Sequence, residues 1–223
     1  MSSRGGYDRL AKFYRGLELA MFRGQLQAAR VALLDQLPTV DRALVLGDGD
    51  GRFLAELSRS HSNCQIISVE QSSEMLKRQQ QRIQAPNAVD RHTFVCQDAS
   101  AYQPVQDSFD LMTTVFFLDC FTEEDLQRLL PQWLAGLRQG GVFYFVDFAR
   151  PRRGWQRIRA DLYLAVMHGF FRWTTGLGNR RLVDIDSILE AQPITEIAAC
   201  RLNHELIVAR LYRKTKSASD VSP

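Results

Sequence analysis

The sequence predicts an α/β fold: a seven-stranded, mostly parallel sheet with helices on both faces and an antiparallel end. Three observations carry this reading. Short apolar runs alternate with helix-spaced segments through residues 41–150, the pattern of a parallel sheet covered on both sides. The first run, Ala43-Leu44-Val45-Leu46, breaks into Gly47-Asp48-Gly49-Asp50-Gly51, as at a strand-to-helix turn. The last two runs, Ile194 to Arg201 and Leu206 to Tyr212, are joined too closely for a parallel crossover and must pair antiparallel.

The elements follow in order. Tyr7, Leu10, Ala11, Tyr14, Leu17 and Met21, then Leu26, Ala29, Leu33 and Leu37, recur at helical spacing and predict two amphipathic helices over residues 1–40. The first strand ends at Leu46 and a helix follows near Phe53 to Ser60. Gln65 to Val69 is a second strand closed by Glu70, and Ser72 or Ser73 caps a helix carrying Met75, Leu76 and Ile83. Thr93 to Cys96 is a third strand and Phe109 to Phe117 a fourth. Thr122 caps the next helix, with Glu123, Glu124 and Asp125 facing the positive end of its dipole. Leu126, Leu129, Leu130, Trp133, Leu134 and Leu137 form its apolar face, and Gly140-Gly141 is expected to stop it before a fifth strand, Val142 to Val146. Beyond Pro151, Trp155 to Trp173 reads as a long helical segment, and Asp186 to Ala191 as a short helix. The polar residues 214–223 are expected to be a disordered tail.

Composition bounds the function. At 223 residues and 45% hydrophobic content the chain can bury one substantial core, so a single domain over 1–213 is expected. A net charge of +3 gives no argument for nucleic acid as a partner. No apolar run reaches membrane-spanning length and the polar start lacks a signal-peptide core, which makes a cytoplasmic location the expectation. Cys64, Cys96, Cys120 and Cys200 are scattered without a CxxC pair, so no metal site is expected. Arg150, Arg152, Arg153, Arg157 and Arg159 around Trp155 form either a solvated basic face or a patch for an acidic substrate or an anionic membrane surface.

In an open parallel sheet, ligands bind beyond the carboxyl ends of the strands. Glycines at the end of the first strand let a ligand approach the backbone. Glu70, about twenty residues on, offers a carboxylate to both hydroxyls of a ribose. Asp98 follows the third strand, where it can accept from an exocyclic amine of adenine. Asp119 and Asp147 follow the fourth and fifth strands and border the mouth through which a second substrate would enter.

Taken together, Gly47 to Gly51, Glu70, Gln97-Asp98-Ala99, Phe109-Asp110-Leu111 and Gly140-Gly141-Val142 resemble, in order and spacing, the motifs of class I S-adenosylmethionine-dependent methyltransferases. The segment Tyr7 to Tyr14 resembles the lid helix of small-molecule types such as the quinone C-methyltransferases. The resemblance implies a Rossmann-like core over 41–150, an N-terminal helical lid within 1–40, a substrate-lid insertion over 151–182, and a C-terminal helix and strand pair over 183–213. It implies S-adenosyl-L-methionine as cofactor, contacted by Gly47, Gly49 and Gly51, Glu70 at the ribose, Gln71 and Met75 beside the adenine, Asp98 and Ala99 at its rim, and Val115. Tyr7, Tyr14, Phe116, Phe117 and Asp147 would line the pocket of a small-molecule acceptor, with Asp119 or His168 as the base where one is needed. The family usually carries an acid two places before the first glycine, where this chain has Val45. Asp48 or Asp50 then either orients the cofactor's ammonium or serves the turn alone. Two other readings stay open: a non-catalytic binding module, and a nucleotide-cofactor oxidoreductase, against which Arg52 stands in place of the third glycine of GxGxxG.

Overall fold

The computed structural model describes residues 24–83, 88–149, 183–203 and 205–215. Seven strands form one sheet in the order β3-β2-β1-β4-β5-β7-β6: β1 Arg42–Leu46, β2 Gln65–Glu70, β3 His92–Cys96, β4 Phe109–Val115, β5 Leu137–Phe148, β6 Ile194–Leu202 and β7 Ile207–Lys214. The pairs among β1 to β5 are parallel, and β7 enters antiparallel between β5 and β6. The described helices are α1 Gln25–Val31, α2 Arg52–Ser60, α3 Ser73–Arg82, α4 Ala88–Arg91, α5 Glu123–Ala135 and α6 Ile185–Glu190. From β1 the chain winds outward to β3, then returns to lay β4 on the other side of β1. That reversal opens a crevice at the carboxyl ends of β1 and β4.

Strand alternation sorts the core onto two faces. Ala43 and Val45 of β1 join Tyr144 and Val146 of β5 in a layer beneath α1 and α2, with Leu26, Ala29, Phe53, Leu54 and Leu57. Leu44 and Leu46 join Phe143 and Phe145 in the opposite layer, under Leu126, Leu129, Leu130 and Trp133 of α5 and Ile188 and Leu189 of α6. The buried Tyr144 hydroxyl donates to Arg30 O at 2.8 Å and accepts from Leu33 N at 3.2 Å, which fixes the end of α1 to the sheet. Asp110 plays a similar part at the base of β1: its Oδ2 accepts from Asp41 N and Arg42 N, both at 2.9 Å, and its Oδ1 pairs with Arg138.

Several expected boundaries move. α5 ends at Ala135, not at Gly140-Gly141, because Gly136 N bonds back to Trp133 O and a side chain at Gly136 would strike Pro104. Leu137, expected on the helix face, instead opens β5, and Gly140, at φ 75°, lies within that strand beside an irregularity in its pairing with β4. β4 stops at Val115 because Phe116 turns into the left-handed region, at φ 54°. Lys214, expected in the tail, closes β7, with its Nζ against Leu137 O and Asp107 Oδ1. Tyr7, Tyr14, the insertion over 151–182, with His168, the basic cluster from Arg150 on, and residues 216–223 lie outside the described residues. Among those described, no helix is long and apolar enough to cross a membrane, and no three metal-ligating side chains cluster.

Tyr144→Phe should lower stability by about 1–3 kcal/mol, because buried Leu33 N loses its acceptor and Arg30 O loses this donor. Urea unfolding checks this: the midpoint should fall while the slope stays unchanged.

Candidate functional site

The turn after β1 is held by side chains from two other segments, β2 and α3. Gly47, Gly49 and Gly51 all take positive φ, at 65°, 57° and 82°, which L side chains adopt only with strain. Gly47 N donates to Val69 O at 2.9 Å, tying the turn to β2. The Glu70 carboxylate accepts from Gly49 N through Oε2 at 3.2 Å and from Ser72 N through Oε1 at 2.9 Å. Gln79, fully buried on α3, donates from Nε2 to Gly49 O at 2.8 Å and accepts from Ser68 Oγ at 2.8 Å. Sequence reasoning missed Gln79, although its place between Leu76 and Ile83 puts a polar side chain on the buried stripe of that helix.

The two aspartates of the turn serve the chain itself. Asp48 is buried and accepts from Phe53 N at 3.4 Å and Leu54 N at 2.8 Å, satisfying donors in the first turn of α2. Burial pushes its carboxyl up to about 7, against the downward pull of those donors and of Arg30. Asp50 pairs with Arg52 at 3.1 Å and Arg82 at 2.9 Å. Val45, fully buried beneath α2, leaves no room there for a charge without a partner. Gly51 is buried against Gln79, where an added Cβ would fall 2.9 Å from its Cγ, so this glycine meets helix α3. Val115 belongs to the apolar layer below.

Among the described residues, half-buried Glu70 closes β2, exposed Gln71 follows it, half-buried Met75 lies on α3 and exposed Asp98 follows β3. Asp98 Oδ1 accepts from Ser100 N at 2.8 Å, and buried Ala99 is fixed by Trp133 Nε1, which donates to Ala99 O at 3.1 Å. Phe116 packs on Phe148 with ring centroids 5.1 Å apart, and the Arg30 guanidinium stands 5.1 Å above its ring. Phe117 leans on Gly47.

Asp147 is not a pocket residue. It is fully buried, and its carboxylate accepts from Leu118 N, Asp119 N and Phe148 N at 3.1, 3.3 and 2.9 Å, which pins the 3₁₀ turn Leu118–Cys120 to β5. Burial, then the nearby Asp119, push its carboxyl well above the usual range. Asp119 itself is half-buried, with Cys120 Sγ 3.6 Å from its Oδ1. Beside Phe148, a cavity of about 520 Å³ opens between Phe145, Val208, Arg210 and the start of α6.

A profile of the methyltransferase domain matches residues 43–141, from β1 to the start of β5. The demethylmenaquinone methyltransferase of Roseiflexus castenholzii is 32% identical over 148 residues, 66% of this chain. The chain thus carries a methyltransferase domain over residues 43–141. It spans 58% of the length of that curated relative. Solved methyltransferases share the fold. The N-methyltransferase NodS of Bradyrhizobium japonicum, in complex with S-adenosyl-L-homocysteine, aligns over 86% of this chain and 85% of its own, at 17% identity and a TM-score of 0.57. An O-methyltransferase family 2 protein of Planctomyces limnophilus, in complex with apigenin, aligns over 90% and 61%, at 15% and 0.68. Within this methyltransferase domain, Asp48 supplies the turn with a carboxylate three residues after the position where the family usually carries one.

Asp48 binds its proton more tightly when folded, so its contribution to stability is complete below about 3.8 and is lost as pH rises through about 7. Asn has no proton to lose. The melting temperature of Asp48→Asn relative to the parent should therefore climb by several degrees between about pH 5 and about pH 8, at roughly 2–4 °C per kcal/mol. Scanning calorimetry at both values checks this, and a constant gap would mean that burial does not govern this carboxyl.

Proposed function

We propose that this protein binds S-adenosylmethionine across the carboxyl ends of β1 to β4 and methylates a small-molecule acceptor. The observation that carries the reading is the Glu70 carboxylate, half-buried at the end of β2 and already bonded to Gly49 N of the glycine turn. Each of its oxygens accepts one backbone hydrogen, which leaves lone pairs for the two hydroxyls of a ribose. The turn fits a ligand at Gly49, where an added Cβ would meet nothing within 4 Å. The profile match across β1 to β5 and the S-adenosylhomocysteine-bound structural neighbour support the same cofactor.

In this reading Glu70 orients the ribose, Gln71 and Met75 flank the adenine, Asp98 and Ala99 close its rim, and Gly47 and Gly49 admit the methionine end. When bound, the cofactor supplies a methyl group on a sulfonium, already activated toward in-line displacement by a nucleophile. The chain's task is then alignment and exclusion of water. Asp119 Oδ1 stands at the mouth as the proton acceptor for substrates that must lose one. The cavity beside Phe148, about 520 Å³, is of a size that holds a small molecule. The demethylmenaquinone methyltransferase relative supports a small acceptor as well.

Calorimetric titration tests the proposal. S-adenosylmethionine and S-adenosylhomocysteine should both bind, NAD should not, and Glu70→Ala should weaken both by at least about tenfold, since hydrogen bonds to a charged group contribute roughly 1.5–3 kcal/mol. Glu70→Gln, which keeps one acceptor oxygen and the turn contact, should fall between. Equal binding to the parent and Glu70→Ala would move the site elsewhere.

A further inference from the structure

The two ends of the glycine turn are not alike. At Gly49 the space above the backbone is open, but at Gly47 it holds the ring of Phe117: a Cβ built there would fall 2.0 Å from Cδ2 and 2.3 Å from Cε2. Not even a methyl group fits between ring and backbone. This contact lies in the crevice between β1 and β4, where the strand order reverses and where the methionine end of the cofactor would run.

The ring is held by other rings. Its centroid is 5.0 Å from Phe121, edge to face, and 6.0 Å from Trp133, and Phe121 is 5.5 Å from Trp133. The backbone behind it is fixed. Leu118 N and Asp119 N are bonded to buried Asp147, and Phe116, at φ 54°, takes a strained conformation that an aromatic residue rarely adopts. That strain has a consequence: by turning left-handed at Phe116 the chain brings residue 117 back over Gly47. Phe117 itself is only half-buried, so rotation about its own side-chain bonds lifts the ring off without disturbing the pinned turn behind it.

We propose that Phe117 and the cofactor compete for Gly47, so that the methionine end seats only after the ring has swung away. The proposal rests on the cofactor placement given above. Phe117 then sets cofactor affinity: the apparent dissociation constant exceeds the intrinsic one by the inverse of the fraction of molecules with the ring withdrawn. A ring seated nine-tenths of the time weakens binding about tenfold. Once withdrawn, the ring stays beside the crevice as an aromatic wall.

The test is calorimetric titration of S-adenosylhomocysteine into the full chain and into Phe117→Ala, with Phe117→Leu as a second variant that keeps apolar contact with Phe121 and Trp133. Circular dichroism and melting confirm that each is folded. Phe117→Ala should bind about tenfold tighter, and Phe117→Leu tighter by a smaller factor. In stopped-flow experiments the association rate constant of the parent should be lower than that of Phe117→Ala by the same factor of about ten, because ring rotation equilibrates faster than the ligand binds. Equal or weaker binding by both folded variants overturns the competition. Glu70→Ala, run alongside, separates the two failures: loss of affinity there without gain at Phe117 removes only the competition, whereas no binding by any protein removes the cofactor placement too.

Discussion

Everything at the carboxyl edge of this sheet depends on satisfying the backbone of one turn. Residues 47–54 leave a central strand, reverse through three left-handed glycines and enter a helix, exposing donors and acceptors that no regular ladder pairs. Asp48 takes two of the helix donors, Glu70 takes Gly49 N, and Gln79 gives a hydrogen to Gly49 O. These side chains come from the turn, from β2 and from α3, so the turn's shape couples the first two strand–helix units. A buried amide at Gln79 costs free energy unless both ends are bonded, and here both are, to Ser68 and Gly49. The same logic recurs across the crevice. There buried Asp147 takes three backbone donors and fixes the loop after β4. Each lip of the crevice is thus set by a carboxylate turned inward to the chain.

Much of this architecture was legible in the sequence because it follows from patterns with a period. The strand runs, the Thr122 and Ser72 caps and the antiparallel end are local signals, and each fell within a few residues of its place. Glu70 was legible for a different reason: topology puts the residue closing β2 beside the turn closing β1. What misled was chemistry without direction. Gly140-Gly141 resembles a helix stop, yet packing of Gly136 against Pro104 ends the helix earlier. Asp147 has the right type and place for a pocket residue, but nothing in one sequence says which way a carboxylate turns at a strand end. Phe117 reads as a pocket aromatic, and its contact with Gly47 depends on a left-handed Phe116 that no propensity announces.

Direction also sorts the carboxylates that the sequence offers as equals. Asp147 is fully buried with three backbone donors, and Asp48 is buried with two. Burial pushes both carboxyls upward, because the charged form loses more solvation than those donors return. Glu70 also accepts two donors but is half-buried, and Asp98 accepts from Ser100 N and is exposed. A carboxylate has about four acceptor sites. Those that spend them on the backbone in a dry interior hold the loops, and those that keep some facing water can exchange that water for a ligand. On this count Glu70 and Asp98 keep acceptor sites that face solvent, while Asp48 and Asp147 spend theirs on the chain.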